Sequence, residues 1–259
     1  MKSTLSFHDL SLQIGGKTIL HPVSGEFVPG AITALIGPNG SGKSTLLAIL
    51  NQLLTPTQGE VRLNQEPLSR FYRAELAKQM ALMPQRNPVP STLTVEDLVA
   101  FGRHPHRPWY RRLSSNDTEL IEWAMEESGI IHYRKRLLTA LSGGELQRCW
   151  LAMVLAQDTP MVMLDEPTSW LDIHHQQALL NIVRRLNRQY GKTIIWVLHD
   201  LNQALEYSDQ AMLLNDGNLV AAGSVDTVIT ADIVTQVYQT PVREHDLDGQ
   251  RILWTEAAR

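Results

Sequence analysis

The run "LIGPNGSGKST", Leu35 to Thr45, constrains this chain more than any other stretch. Glycines, a lysine and hydroxyls follow a short apolar run, Ile32–Ile36. A loop so poor in side chains cannot fill a core, so its use lies in its backbone. Gly37–Ser44 fits G-x-x-x-x-G-K-[ST] without mismatch, between an expected strand at Ile32–Ile36 and an expected helix at Ser44–Leu54. Such a loop lets backbone N–H groups converge on phosphate oxygens, and the helix start adds its dipole. Gly37, Pro38, Asn39, Gly40, Ser41, Gly42, Lys43, Ser44 and Thr45 are therefore expected to cradle a nucleoside triphosphate. Lys43 would reach the β- and γ-phosphates, Ser44 would ligate Mg²⁺, and Thr45 would add a hydrogen bond. The competing reading is a glycine turn that holds nothing; the flanking strand and helix argue against it.

The 259 residues suffice for one large domain or a domain with an inserted lobe. A hydrophobic content of 43% and a charged content of 19% fit a globular protein with a full-sized core. The formal charge of −4 leaves no global basic field for nucleic acid. The one cysteine, Cys149, excludes an internal disulfide framework and suits a reducing compartment. No window approaches the roughly 18–20 apolar residues that span a bilayer, and "MKSTLSFHDLSLQ" lacks an apolar stretch of signal-peptide length.

Short apolar segments punctuated by Gly15-Gly16 and Pro29-Gly30 predict an antiparallel layer over residues 1–30, and "GEVRLNQEPL" a further strand and turn. Residues near 75–83 lead into "MPQRNPVPSTLT", read as a connector. From Val95 to Leu138 the period turns helical, which predicts an inserted helical subdomain over about 86–150. Two buried strands follow, at 161–165 and 193–200, with a helix at about 173–190 between them; apolar throughout, they indicate a parallel sheet covered on both faces. "AMLLNDGNLVAAG" predicts a hairpin turning at Asn215–Asn218, and residues from about 225 to 259 a short tail.

"MVMLDE", Met161–Glu166, is the second chemical signal. An apolar strand ending in an acid delivers a carboxylate to the edge of a parallel sheet where ligands bind. Asp165 suits a Mg²⁺ role, directly or through water, and Glu166 beside it is placed to polarise an attacking water. "LSGGELQR", Leu141–Arg148, is a second anion-reading helix start, with a serine hydroxyl and glycine N–H groups.

With these residues the chain resembles, along nearly its full length, the ATP-binding subunits of ATP-binding-cassette (ABC) transporters. The resemblance implies an α/β P-loop NTPase fold, a RecA-like parallel core with an antiparallel β layer and the helical insertion, spanning 1–259 as one nucleotide-binding domain. It implies a head-to-tail homodimer in which Ser142, Gly143, Gly144 and Glu145 of one copy cover ATP held by the loop of the other. Gln85, in "LMPQ", resembles the glutamine that contacts Mg²⁺ and the attacking water. "SWLD", Ser169–Asp172, resembles the loop that crosses the dimer interface, with Asp172 as its acid. His199, ending "IIWVLHD", resembles the switch histidine at the γ-phosphate. Where the family often has an aromatic that stacks on adenine, this chain has Ile14, so stacking gives way to weaker apolar contact.

"STLTVEDLVAFGRHPHRPWYRRLSSND", Ser91–Asp117, with "MVLAQDTPMVMLDEPTSWLDIHHQ" and "VLHDLNQAL", resembles the iron-chelate importers, nearest the ferric hydroxamate type. The implied task is ATP-driven import of a ferric siderophore at the cytoplasmic face of a bacterial inner membrane. The implied partners are integral permease subunits, docked on the 86–102 region, and indirectly a periplasmic or surface substrate-binding protein. Haem or cobalamin import is the alternative within the class. Outside it stand a non-transport ABC ATPase on DNA or ribosomes and an inert nucleotide-binding subunit; Glu166 and His199 argue against the latter. His104, His106, His174 and His175 do not read as metal ligands, since Pro105 breaks one pair and helical geometry splays the other. Trp109 and Tyr110 read as packing or surface rather than cargo contacts.

Overall fold

The computed structural model describes residues 3–85, 89, 91–107 and 110–255. Trp109 and part of the expected 86–102 docking region lie outside them. The chain divides into two compact units, Met1–Arg70 with Thr193–Arg259, and Phe71–Lys192.

The first unit opens with β1 (Leu5–Ile14) and β2 (Lys17–Phe27), an antiparallel hairpin turning through Gly15-Gly16. β3 (Ile32–Ile36) is the expected buried strand, with the same bounds. The phosphate-loop sequence follows it and feeds α1 (Lys43–Leu50). This helix is shorter than the expected Ser44–Leu54. Gln52 turns into the left-handed region at φ 54, and its side-chain amide donates to Leu68 O at 2.5 Å. β4 (Gln58–Leu63) then pairs antiparallel with β1, and β5 (Glu66–Pro67) with β4.

The second unit contains α2 (Arg73–Leu76) and β6 (Met80–Met83), then α3 (Val95–Phe101), α4 (Ser115–Glu127) and α5 (Gly143–Ala156), then β7 (Met161–Asp165) and α6 (Ile173–Tyr190). β6 corrects the reading of 75–83 as a mere lead-in. Four apolar residues carry no period, and what makes them a strand is parallel pairing with β7, Met80 opposite Met161. Thr94, Ser114 and Ser142 each start a helix by a capping box, with Asp97, Asp117 and Glu145 reaching back. α3 and α4 both lie on α5, with Val95, Leu98, Ile121, Met125, Leu151 and Leu155 buried. Arg103 Nε meets Asp117 Oδ1 at 2.8 Å in this helical cluster, and Arg103 Nη1 donates to Ala156 O at 2.7 Å. Burial alone would raise the Asp117 carboxyl, but hydrogen bonds from Ser114 and Arg103 outweigh it and hold the group at about 2.

The chain returns to the first unit with β8 (Thr193–Val197), α7 (Leu201–Tyr207), β9 (Gln210–Asn215) and β10 (Asn218–Ser224). β8 and β9 flank β3, both parallel to it. Asp216 and Gly217, at φ 44 and 75, turn the β9–β10 hairpin where the sequence placed it. Within the expected tail, residues 225–255 form α8 (Val225–Val228), α9 (Ala231–Tyr238) and a hairpin of β11 (Val242–Leu247) and β12 (Gln250–Thr255). Asn202 of α7 holds that hairpin through both ends of its amide, to the backbone of Leu253. Among the described residues no helix is long and apolar enough to cross a membrane.

Candidate active site

In the first unit the glycine loop leaves the C-terminal end of β3. Gly37 has φ 140, and a Cβ there would lie 2.0 Å from Leu214 O of β9, so only glycine lets the two backbones approach. Gly42, at φ 99, precedes α1 with no side-chain cap. The Lys43 ammonium, on a residue only 5% exposed, donates to Gly37 O and Pro38 O at 2.8 Å each, with Ser41 Oγ at 3.4 Å. A cation thus sits at the centre of the loop, while Asn39, Gly40 and Ser44 are exposed. The β9–β10 turn fixes the loop from outside. Gly217 N donates to Ser41 O at 3.2 Å, and His21 N of β2 to Gly217 O at 2.9 Å.

His199 does not end a strand. β8 stops at Val197, and the Asp200 side chain already caps α7 by accepting from Asn202 N and Gln203 N. His199 is left exposed on the two-sided junction between them. Because Leu35 pairs with Val197 in parallel register, His199 emerges at the same sheet edge as the glycine loop. Ile14 ends β1 beside the Gly15-Gly16 turn, 55% exposed.

In the second unit Asp165 closes β7 and Glu166 follows with φ 50, a left-handed conformation uncommon for a side-chain-bearing residue. Glu166 Oε2 accepts from Gln85 Nε2 at 2.5 Å and from Ser169 Oγ at 2.9 Å. Strained backbone and two donors aim this carboxylate. The Gln85 amide oxygen and the Asp165 carboxylate in this unit, and the Ser44 hydroxyl in the first, are each hard oxygen donors of the kind that suits Mg²⁺.

Ser142 caps α5, but its hydroxyl is already engaged, donating to Glu145 Oε2 at 2.9 Å, while Ser142 N donates to the same oxygen at 2.8 Å. The sequence reading gave this helix start free donors; the capping box occupies part of them. The Tyr133 hydroxyl bonds Glu145 too. That bond first, then those from Ser142, hold the Glu145 carboxyl down at about 2. Gln147 Nε2 donates to Pro167 O at 3.0 Å, tying α5 to the segment after Glu166. Asp172 caps α6, accepting from His175 N and from His175 Nδ1, both at 2.8 Å. Trp170 and Ile173 beside it are 95% and 85% exposed.

Sequence reasoning missed Ser169, Tyr133, His175 and the β9–β10 turn as supports. Only Ser169 left a readable sign, three residues after Glu166; the others are brought in by tertiary packing.

The family model for the ABC transporter matches residues 20–169. The chain belongs to the ABC transporter family. This ABC cassette is 41% identical, over 92% of its length and 88% of the relative's, to the iron(3+)-hydroxamate import ATP-binding protein FhuC of Bacillus subtilis (strain 168). It is 43% identical, over 88% and 84%, to the ferric enterobactin transport ATP-binding protein FepC of Escherichia coli (strain K12). Among solved structures it resembles a metal-chelate type ABC transporter in an inward-facing conformation, with TM-score 0.84, 26% identity and coverage of 98% and 97%. A dimeric bacterial ABC transporter cassette, MJ0796, shares the fold at TM-score 0.76 and 24% identity, covering 85% and 98%. The fold is that of a P-loop NTPase, and the ABC cassette is an ATP-binding ATPase.

Proposed function

We propose that this ABC ATPase drives import of a ferric siderophore of the hydroxamate type, working as a head-to-tail homodimer on the cytoplasmic face of a bacterial inner membrane. The observation that carries the cargo is the 41% identity to the hydroxamate import protein over 92% of the chain. Integral permease subunits are the direct partners, received near α3, and a periplasmic or surface substrate-binding protein acts through them. Nucleic acid is not a partner.

The residues divide the work. Gly37, Pro38, Asn39, Gly40, Ser41 and Gly42 form the loop around the phosphates, which Asn39, Gly40 and Gly42 meet with backbone N–H groups while Pro38, which has none, shapes the turn; Lys43 meets the β- and γ-phosphates, and Thr45 adds a hydroxyl. Ile14 gives the base apolar contact without stacking. Ser44, Gln85 and Asp165 would hold Mg²⁺, whose charge offsets that of the phosphates. Glu166 takes the proton of the attacking water; Gln85 and Ser169 fix the oxygen Oε2 while it does so. His199 orients the same water. Ser142, Gly143, Gly144 and Glu145 of the second copy close over the nucleotide, with Asp172 at the interface. Closing on ATP and opening after hydrolysis is the two-state motion to which a permease couples.

The test is growth of a deletion strain on single iron sources. Loss of growth on ferric hydroxamates alone, restored by the wild-type gene but not by Glu166→Gln, is the expected result. Loss confined to haem would transfer the cargo to the second reading, which a 40% identical hemin import protein HmuV of Nocardia farcinica (strain IFM 10152) keeps in view.

A further inference from the structure

The second unit places one histidine against two motifs. A Cβ on Gly144 would lie 2.2 Å from His175 Cδ2 and 2.5 Å from Cγ, so the imidazole packs directly on the backbone of the signature glycine. The same ring presents Nδ1 to Asp172 Oδ1 at 2.8 Å. A carboxylate only accepts, so Nδ1 carries the proton and donates. The backbone N–H of His175 donates to that oxygen as well, so Asp172 receives both a helix-capping bond and a ring bond from one residue. Bonds to His175, the backbone one first, lower the Asp172 carboxyl and keep it ionised. His174 stands edge-on to the ring, at 5.5 Å between centroids, and limits its swing. The ring is held on three sides.

We propose that His175 is a positioning residue that sets the start of α5 against the Ser169–Asp172 loop, so that the serine-glycine cap and the interface acid meet a second copy as one pre-aligned surface. It touches no reacting atom. The proposal rests on the sandwich-dimer reading given above. In an aligned surface the ordering of two loops is completed before association, so ATP-driven dimerisation needs less nucleotide. Without the ring, Gly144 faces a hole and Asp172 retains only its capping bond, and the alignment must be made at the moment of closure.

The experiment uses the Glu166→Gln protein, titrated with ATP and Mg²⁺ and followed by analytical ultracentrifugation. His175→Ala and His175→Phe are added to it, with His175→Asn as the conservative change. Asn keeps a side-chain N–H for Asp172; Phe keeps a ring against Gly144 without that donor. Thermal melting confirms that each variant is folded, and fluorescent-nucleotide binding to dilute monomer supplies a reference affinity. The expected result is a rise of about tenfold in the ATP concentration for half dimerisation in Ala and Phe. Asn returns it to within about threefold of the parent, and monomer affinity is unchanged in all. In the hydrolysing background the same variants raise KM for ATP more than they lower kcat. A parent that never dimerises with ATP would remove the sandwich reading itself. A parent that dimerises, with Ala and Phe matching its half-point, would overturn the role of His175 alone.

Discussion

The two serine-and-glycine helix starts differ in what they bring. At Gly42 no side chain caps α1, and a buried lysine places a full positive charge among the loop's carbonyl oxygens. At Ser142 the helix is closed on itself by a capping box, and the charge nearby is the negative one of Glu145, held in place by Tyr133. On the proposed function, the first start takes the triphosphate. The other carries its cation, Arg148, at the end of the motif beside Glu145 rather than in the helix start, begins with part of its donors engaged, and is proposed to act as a cover. A division into holder and cover follows from these local geometries.

Lys43→Ala breaks the contrast most severely. Removing a charge-assisted bond to each of two phosphates should lower turnover by about 10³-fold or more and abolish nucleotide binding in equilibrium fluorescence titrations. Glu166→Gln sharpens it instead. ATP binding persists, the dimer accumulates on size-exclusion chromatography, and turnover falls by roughly 10²–10³; unchanged hydrolysis would refute the assignment of the base. Gly144→Ala attacks the cover alone. Its methyl group meets the His175 ring, so we expect a loss of about 1–3 kcal/mol in chemical denaturation and impaired dimerisation, with monomer nucleotide affinity retained.

Acid reaches the cover. Glu145 is held from its ordinary 4.5 down to about 2. A lowered folded value means a contribution fully present above pH 4.5 and lost as pH falls through about 2. The capping box at Ser142 should therefore loosen within that window. Tyr133→Phe gives the smallest effect, a carboxyl shifted back toward its ordinary value in an NMR titration and dimerisation changed by a factor of about 2–3.

Much of this was legible in the chain. β3 and α6 have the expected bounds because each signal is local: five consecutive apolar residues in one, and in the other an aspartate cap, an amphipathic run and Gly191 as the stop. The phosphate loop was legible because its residues serve backbone geometry that few sequences can reach. β6 was not, since Met80–Met83 becomes a strand only through β7, almost eighty residues later. His199 was misplaced by two residues because apolarity continues to Leu198 while pairing stops at Val197. The supports of Glu145 and Gly144 come from Tyr133 and His175, whose identity as surface or contact residues depends on packing between helices. Local periodicity is blind to that.

The clasp on the phosphate loop has a consequence for how the protein is made. Ser41 receives its bond from Gly217, and Gly37 rests against Leu214, both far downstream. A nascent chain emerging from the ribosome has synthesised every residue of the nucleotide-reading motif long before the segment that shapes it exists. A fragment ending ahead of the β9–β10 turn therefore carries the complete motif yet lacks the residues that contact it from downstream.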